Sequence, residues 1–434
     1  MWRPARSGCG ALVTVKLSGN NASMRLGVYG WDPQIAAVVR AAQQEGVPVA
    51  VACHLSEEAR QTAELRDAVV GDSWEAVVDE RVCDAVLVGT SDWDDTRVDG
   101  VRHLVQAGRP LLVSQPLTPS MLVAYEIDMI RADVGGLLLP FLAERQHPLV
   151  QRLVEAVEAS LLGVGPLGRL ESIGMVRRIP ERTKDEVLAW LARDADLVRL
   201  LIGEPQRLST LASVASEAAY ASLTVEFGGE SQVPARWQVA RGDVPAAELT
   251  LIGATGQIRV EIPESISGPA VWRWHDLEGS EAAPPFDAGG VMFSTLQRSL
   301  AATSDHVDIP ASALSGDTAA GPTPQASWGD AARAIELAET VPRSLARGRA
   351  IDLHQEEFTE LGTFKGTMAS MGCGLVMLAL MVLVVATTIG GIADQAGWAF
   401  GEQLMSVWPF LVLAALGVFL ALQVLPLLMQ GPSD

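Results

Sequence analysis

Few residues in this chain could do chemistry, and their types narrow it. Lysine occurs only at Lys16, Lys184 and Lys365. The first strand-like run, RLGVYG, turns through Trp31-Asp32-Pro33-Gln34-Ile35. A turn that holds a dinucleotide uses three glycines: for the bend, for close approach to the pyrophosphate, and for helix packing. Gly30 supplies the first, but Asp32 stands in the second place and Ile35 in the third. Two readings of Asp32 stay open. Its carboxylate faces phosphate charge, or it caps a helix with Pro33 at the first position. The second strand ends VAVACH, so Cys53 and His54 stand where a ribose-binding acid belongs. His54 either tolerates a 2'-phosphate or is a solvated loop residue. Thr90 closes DAVLVGT and joins Gly30, Asp32 and His54 as a candidate nucleotide contact.

Two further segments carry polar groups among apolar ones: AGRPLLVSQPL, with Gln115, and RDADLVRLLIG, with Arg193 and Asp196. A carboxamide has no proton to exchange near neutral pH, and arginine keeps its own, so neither Gln115 nor Arg193 serves as a general base. Asp196 either positions a substrate or pairs with Arg193 or Arg199 on its own helix, a pairing worth about 0.3–0.5 kcal/mol. Lys184 begins the same helical stretch and is not assigned as a replacement base. His147 precedes Pro148 and reads as a domain-junction residue. Trp272 and Trp274 share one sheet face and read as core.

The chain has 434 residues, room for two or three domains, and a formal net charge of -20. That charge argues against a nucleic-acid partner. Cys9, Cys53, Cys83 and Cys373 show no metal-ligand spacing and read as reduced thiols. Residues 1–23 lack a convincing export signal and read as a disordered extension. From Gly366 to Ala393, and again from Gln403 to Ser433, no residue is charged. Each run exceeds the roughly 20 apolar residues that cross a bilayer. Neither holds an ionisable residue that would line a transport path.

Between these ends, residues 24–140 alternate apolar runs with helical spacing. Strands are expected at Arg25–Tyr29, Pro48–Cys53, Ala85–Thr90, Pro110–Val113 and near Gly135–Pro140. Helices are expected at Gln34–Gln44, Glu57–Arg66 and Thr96–Ala107. This alternation implies an α/β domain with a parallel sheet. Residues 141–353 begin with helices at Leu149–Leu162 and Asp185–Leu201. Strand-like runs follow at Leu208–Val214, Ala221–Phe227, Pro234–Ala240, Ala247–Ile252, Gln257–Ile262 and Ala270–Trp274. They imply an open, mostly antiparallel sheet. Residues 310–327 read as a flexible loop, 354–367 as a linker, and 368–393 and 404–429 as a transmembrane helical hairpin.

The segments AGRPLLVSQPL, RDADLVRLLIG, LIGATGQIRV and WGDAARAIELAETVPRSLARGRAIDL resemble those of the Gfo/Idh/MocA oxidoreductases, the glucose–fructose oxidoreductase and inositol dehydrogenase group. The resemblance covers about residues 24–353. It implies a Rossmann-type domain, a C-terminal α/β domain and NAD(P)-dependent hydride transfer. It also implies a catalytic lysine where this chain has Gln115 and a catalytic histidine where it has Arg193. Asp196 matches the family pattern. Loss of the glycines, the lysine and the histidine together implies a membrane-anchored, non-catalytic binding or scaffold module with no assigned cofactor or metal. The alternative is an active NAD(P)-dependent oxidoreductase acting on a sugar or cyclitol. The expected partners are the lipid bilayer and a second copy joined through the C-terminal sheet. Arg343, Arg347, Arg349 and Lys365 precede the first span, whereas 394–403 has no basic residue. The positive-inside tendency then puts the soluble part and the C-terminus in the cytoplasm.

Overall fold

The computed structural model describes residues 24–90, 94–117, 120–212, 220–229, 232–304 and 325–353. The expected extension 1–23, the linker and both spans lie outside the described residues, as does most of the loop 310–327. Among the described residues, no helix is long and apolar enough to cross a membrane.

The N-terminal half alternates as its pattern dictates. The order is β1 (Leu26–Tyr29), α1 (Pro33–Gln44), β2 (Val49–Cys53), α2 (Glu57–Arg60), β3 (Val69–Gly71), β4 (Ala85–Val88), α3 (Asp95–Gln106), β5 (Leu111–Val113), α4 (Met121–Val134) and β6 (Leu138–Pro140). All pairings are parallel, in the order β3-β2-β1-β4-β5-β6. β1, β4 and β5 are buried along their whole length, as strands covered on both faces must be. Strand order reverses between β1 and β4, so this sheet opens a crevice at their carboxyl ends.

The second part begins with α5 (Pro148–Leu161), β7 (Leu170–Ile179), α6 (Lys184–Ile202), β8 (Pro205–Leu211) and β9 (Thr224–Gly229). It continues through β10 (Ala235–Arg241), β11 (Ala246–Gly253), β12 (Gln257–Pro263), β13 (Arg273–Asp276) and β14 (Gly279–Ala282). α7 (Ala288–Ser304), α8 (Trp328–Arg347) and β15 (Ile351–Asp352) complete it. The sheet order is β14-β13-β12-β11-β7-β10-β9-β8-β15, with β7 and β10 parallel and the other pairs antiparallel. Seven of these eight pairings are antiparallel, as expected, and the single parallel pair makes the sheet mixed.

Alternation sets the faces of this sheet. Trp237, Leu249, Leu251, Ile258 and Val260 point inward and are buried. The outward face carries cross-strand ion pairs, among them Arg236–Glu226 at 2.7 Å and Arg178–Glu248 at 3.5 Å.

Several element boundaries differ from expectation. The helix expected over 57–66 stops at Arg60 and resumes only as a 3-10 turn at Ala63–Leu65. The expected strand at Ala270–Trp274 starts at Arg273, with Ala270 making an isolated bridge to Phe286. α4, β7 and α7 were not expected at all.

Candidate functional site

The crevice between β1 and β4 is built by the turn after β1. Gly30 has φ of +77°, a left-handed conformation that glycine takes without strain. A Cβ there would lie 2.7 Å from Nη1 of Arg97 and 2.9 Å from the carbonyl oxygen of Gly89. Asp32 then caps α1: its Oδ1 accepts from the backbone N–H of Ile35 at 3.0 Å. Its Oδ2 accepts from both the N–H and the hydroxyl of Thr90, at 2.7 and 3.2 Å. One buried carboxylate therefore bridges the two strand ends that flank the switch point. The donors it takes are of the kind that a bound phosphate uses at a helix N-terminus.

His54 lies in the bend after β2, a loop residue as one reading had it, but only partly solvated. Its side chain is three-quarters covered and its φ is +55°. Arg97, from α3, reaches under it. The Arg97 Nη2 lies 3.3 Å from His54 Nδ1 and donates to the His54 carbonyl at 3.1 Å, while Nη1 donates to Gly89 O at 3.2 Å. Burial, then the Arg97 charge, lowers the His54 pKa against the pull of Asp94. The ring is therefore neutral at pH 7, and Nδ1 is the acceptor toward arginine. Burial also pushes the neighbouring Cys53 thiol up to about 12, so it is no nucleophile at neutral pH.

Gln115 follows β5 and is buried. Gln34, in the first turn of α1, clamps its backbone: Gln34 Nε2 donates to Gln115 O at 2.8 Å, and Gln115 N donates to Gln34 Oε1 at 2.9 Å. The Gln115 side-chain Nε2 is buried without a hydrogen-bond partner among the described residues. A protonated amine at this position would need a counter-charge, whereas a neutral amide pays less for burial.

Arg193 and Asp196 sit on α6 but serve different partners. Nη2 of Arg193 donates to Glu144 Oε1 at 3.1 Å, and its guanidinium lies over the Trp190 ring at 4.3 Å. Asp196 is fully buried and receives a two-pronged bond from Arg145, through Nη2 and through Nε at 3.0 Å. Arg199 stands 4.0 Å away. Of the two partners expected on its own helix, Arg199 makes the pair and Arg193 does not, while the closest partner, Arg145, comes from outside the helix. Residues three apart reach each other on a helix, but Arg145 from the turn after β6 offers a planar fork matched to the carboxylate. Burial pushes the Asp196 carboxyl above the usual range, against the pull of Arg145. Asp194 is held in the same way by Arg177, with Trp237 Nε1 donating at 2.8 Å. Among the described residues, no bond joins Arg193 to Gln115.

Three residues of this region escaped the sequence reading: Gln34, Arg97 and Arg145. Each is a buried polar group, and burial is not visible in composition. Among the described residues, no group of histidines, cysteines and acids is arranged to hold a metal.

No family model and no curated protein matches the sequence. Solved structures do match the fold. A myo-inositol dehydrogenase from Corynebacterium glutamicum has a TM-score of 0.55 at 17% identity, covering 76% of this chain and 99% of its own. GenD2 from gentamicin A biosynthesis, in complex with NAD, has a TM-score of 0.56 at 18% identity, covering 77% and 98%. KijD10, a 3-ketoreductase from Actinomadura kijaniata in complex with NADP, has a TM-score of 0.54 at 14% identity, covering 74% and 97%. The chain has the fold of these oxidoreductases. At such identities the likeness is one of fold, and activity has to be argued from the site.

The nicotinamide dinucleotide that this fold implies does not fit the turn as it stands. Asp32 already takes the Ile35 and Thr90 donors. A pyrophosphate brought there would meet a buried carboxylate in place of a second glycine.

Proposed function

We propose that this protein is a membrane-anchored, non-catalytic binding or scaffold module on an oxidoreductase fold. The observation that carries the reading is the Asp32 carboxylate bonded to Ile35 N and Thr90 N at the switch point. It replaces phosphate by an internal anion, and so trades cofactor binding for a closed, self-satisfied turn. Gln115 and Arg193 support the reading, because neither moves a proton near neutral pH. The charge-free runs 366–393 and 403–433 support the anchor, and the basic residues before them support a cytoplasmic soluble part. A second copy is proposed to pack on the outward face of the mixed sheet.

The active NAD(P)-dependent reading keeps two observations in its favour. Gly30 retains the left-handed turn, and the strand order is that of dinucleotide-binding sheets. The two readings separate in a reconstruction series on the full chain in detergent. Gln115→Lys with Arg193→His is expected to give no oxidation of sugars or cyclitols. Adding Asp32→Gly is expected to be necessary before NAD(P) binds. Nucleotide binding to the double variant, with Asp32 retained, would remove the basis of the proposal.

A further inference from the structure

Arg97 stands in the first turn of α3, where a cation opposes the helix dipole and works against helix stability. Asp94 caps that turn through the backbone N–H of Arg97 at 2.8 Å, so the cap does not account for the side chain. Arg97 is 2% exposed. A guanidinium at that depth needs acceptors around it. Here the acceptors are strand ends. Nη1 donates to Gly89 O, just beyond β4, and Nη2 to His54 O, just beyond β2. The ring of Tyr29, the last residue of β1, lies 6.0 Å from the guanidinium carbon. Arg97 therefore reaches from α3 across the carboxyl ends of β2, β1 and β4, the crevice in which sheets of this order hold their ligands.

The place that Arg97 fills is not the place that Asp32 fills. A dinucleotide lays its pyrophosphate on the turn after the first strand. Its adenosine ribose lies at the end of the second, where an acid accepts from the ribose hydroxyls. Asp32 occupies the first place, bonded to Ile35 and Thr90. The second carries Cys53 and His54 instead of the acid, and Arg97 Nη2 holds the His54 carbonyl and lies 3.3 Å from its ring Nδ1. A Cβ added at Gly30 would lie 2.7 Å from Arg97 Nη1 and 2.8 Å from Cζ. The guanidinium is thus packed against the one glycine that this turn retains. Asp32 and Arg97 come from different elements and bond different partners, so removing one leaves the bonds of the other in place.

We propose that Arg97 is an internal plug in the ribose half of the crevice, so that a glycine at position 32 is necessary but not sufficient for nucleotide binding. The inference rests on the loss-of-cofactor reading above and deepens it, because it names a second obstruction, to a different part of the ligand. An adenosine ribose entering here has to displace a buried cation from two carbonyls, and it meets no acid to accept from its hydroxyls. An arginine near this strand end can instead receive a 2'-phosphate. Arg97 is 2% exposed and turns Nη1 and Nη2 to backbone carbonyls, which is the arrangement of a plug. Ligands with and without a 2'-phosphate are therefore refused alike.

The test is calorimetric titration of the full chain in detergent with ADP-ribose and with 2'-phospho-ADP-ribose. Asp32→Gly alone is expected to show no saturable binding of either probe. Asp32→Gly combined with Arg97→Ala is expected to bind both, at least about tenfold more tightly than either single variant. Circular dichroism checks that each variant is folded; Arg97→Gln, shorter than arginine but still a donor, replaces Arg97→Ala where that variant is not. Saturable binding of ADP-ribose by Asp32→Gly alone would overturn the proposal, as would a folded double variant that binds neither probe. Binding of the 2'-phosphorylated probe that is lost with Arg97 would also overturn it, and would make Arg97 a phosphate ligand. Binding by the wild type would remove the loss-of-cofactor reading itself.

Discussion

The Asp32 carboxylate satisfies the turn after β1 from within the chain. Its two oxygens take three donors, so removing them leaves the Ile35 and Thr90 amides without a partner. Asp32→Ala is expected to cost about 1–3 kcal/mol, the sum of a lost cap and a stranded buried donor. Chemical denaturation of the wild type and variant measures this. Gly30→Ala puts a Cβ against Arg97 and strains a positive φ, and is expected to lose more than about 1 kcal/mol in the same assay. The type and place of Asp32 were legible in the sequence, because Asp-Pro at a helix start is a cap signature. Its bond to Thr90 was not, since it joins positions 58 apart.

The elements carry two further consequences. α5 is capped by His147, whose Nδ1 accepts from Leu149 N at 3.0 Å while the ring stacks on Trp272 at 3.9 Å. Burial lowers the His147 pKa to about 4 from a model-peptide value of 6.5. A depressed folded-state pKa gives stability that is complete above pH 6.5 and lost as pH falls toward 4. The loss is about 3 kcal/mol at roughly 1.4 kcal/mol per unit. His54 adds in the same direction. His147→Asn keeps a capping oxygen but does not titrate, so its stability is expected to fall less than the wild type's between pH 7 and 4.5. Equal slopes would show that His147 is not the group responsible. On α6, Asp196→Asn removes the buried acid that takes two bonds from Arg145 and is expected to cost about 3–5 kcal/mol in denaturant unfolding. The misread elements have physical reasons. α4 leaves Leu122 and Met129 exposed, so its apolar stripe is blurred. β7 turns Arg177 inward to meet Asp194, which breaks the polar alternation. α7 opens on Gly289 and Gly290, which read as loop.

At the scale of the whole molecule, the two-sheet α/β layout was legible, because strand–helix alternation and then a run of strands constrain topology strongly. The site was legible only as a set of substituted positions. What those residues bond to depends on contacts between α1, α3, α6 and the turns after β5 and β6. The proposed orientation predicts that cysteines placed in 394–403 react with an impermeant reagent on intact cells, whereas cysteines on the soluble part do not. Labelling of the soluble part from outside would reverse the topology. The proposed loss of the dinucleotide is read by denaturing the purified, detergent-solubilised full chain and measuring released NAD(H) and NADP(H), then titrating each nucleotide into the native protein. No released nucleotide and no saturable binding are expected; a stoichiometric nucleotide released on denaturation would refute the proposed loss.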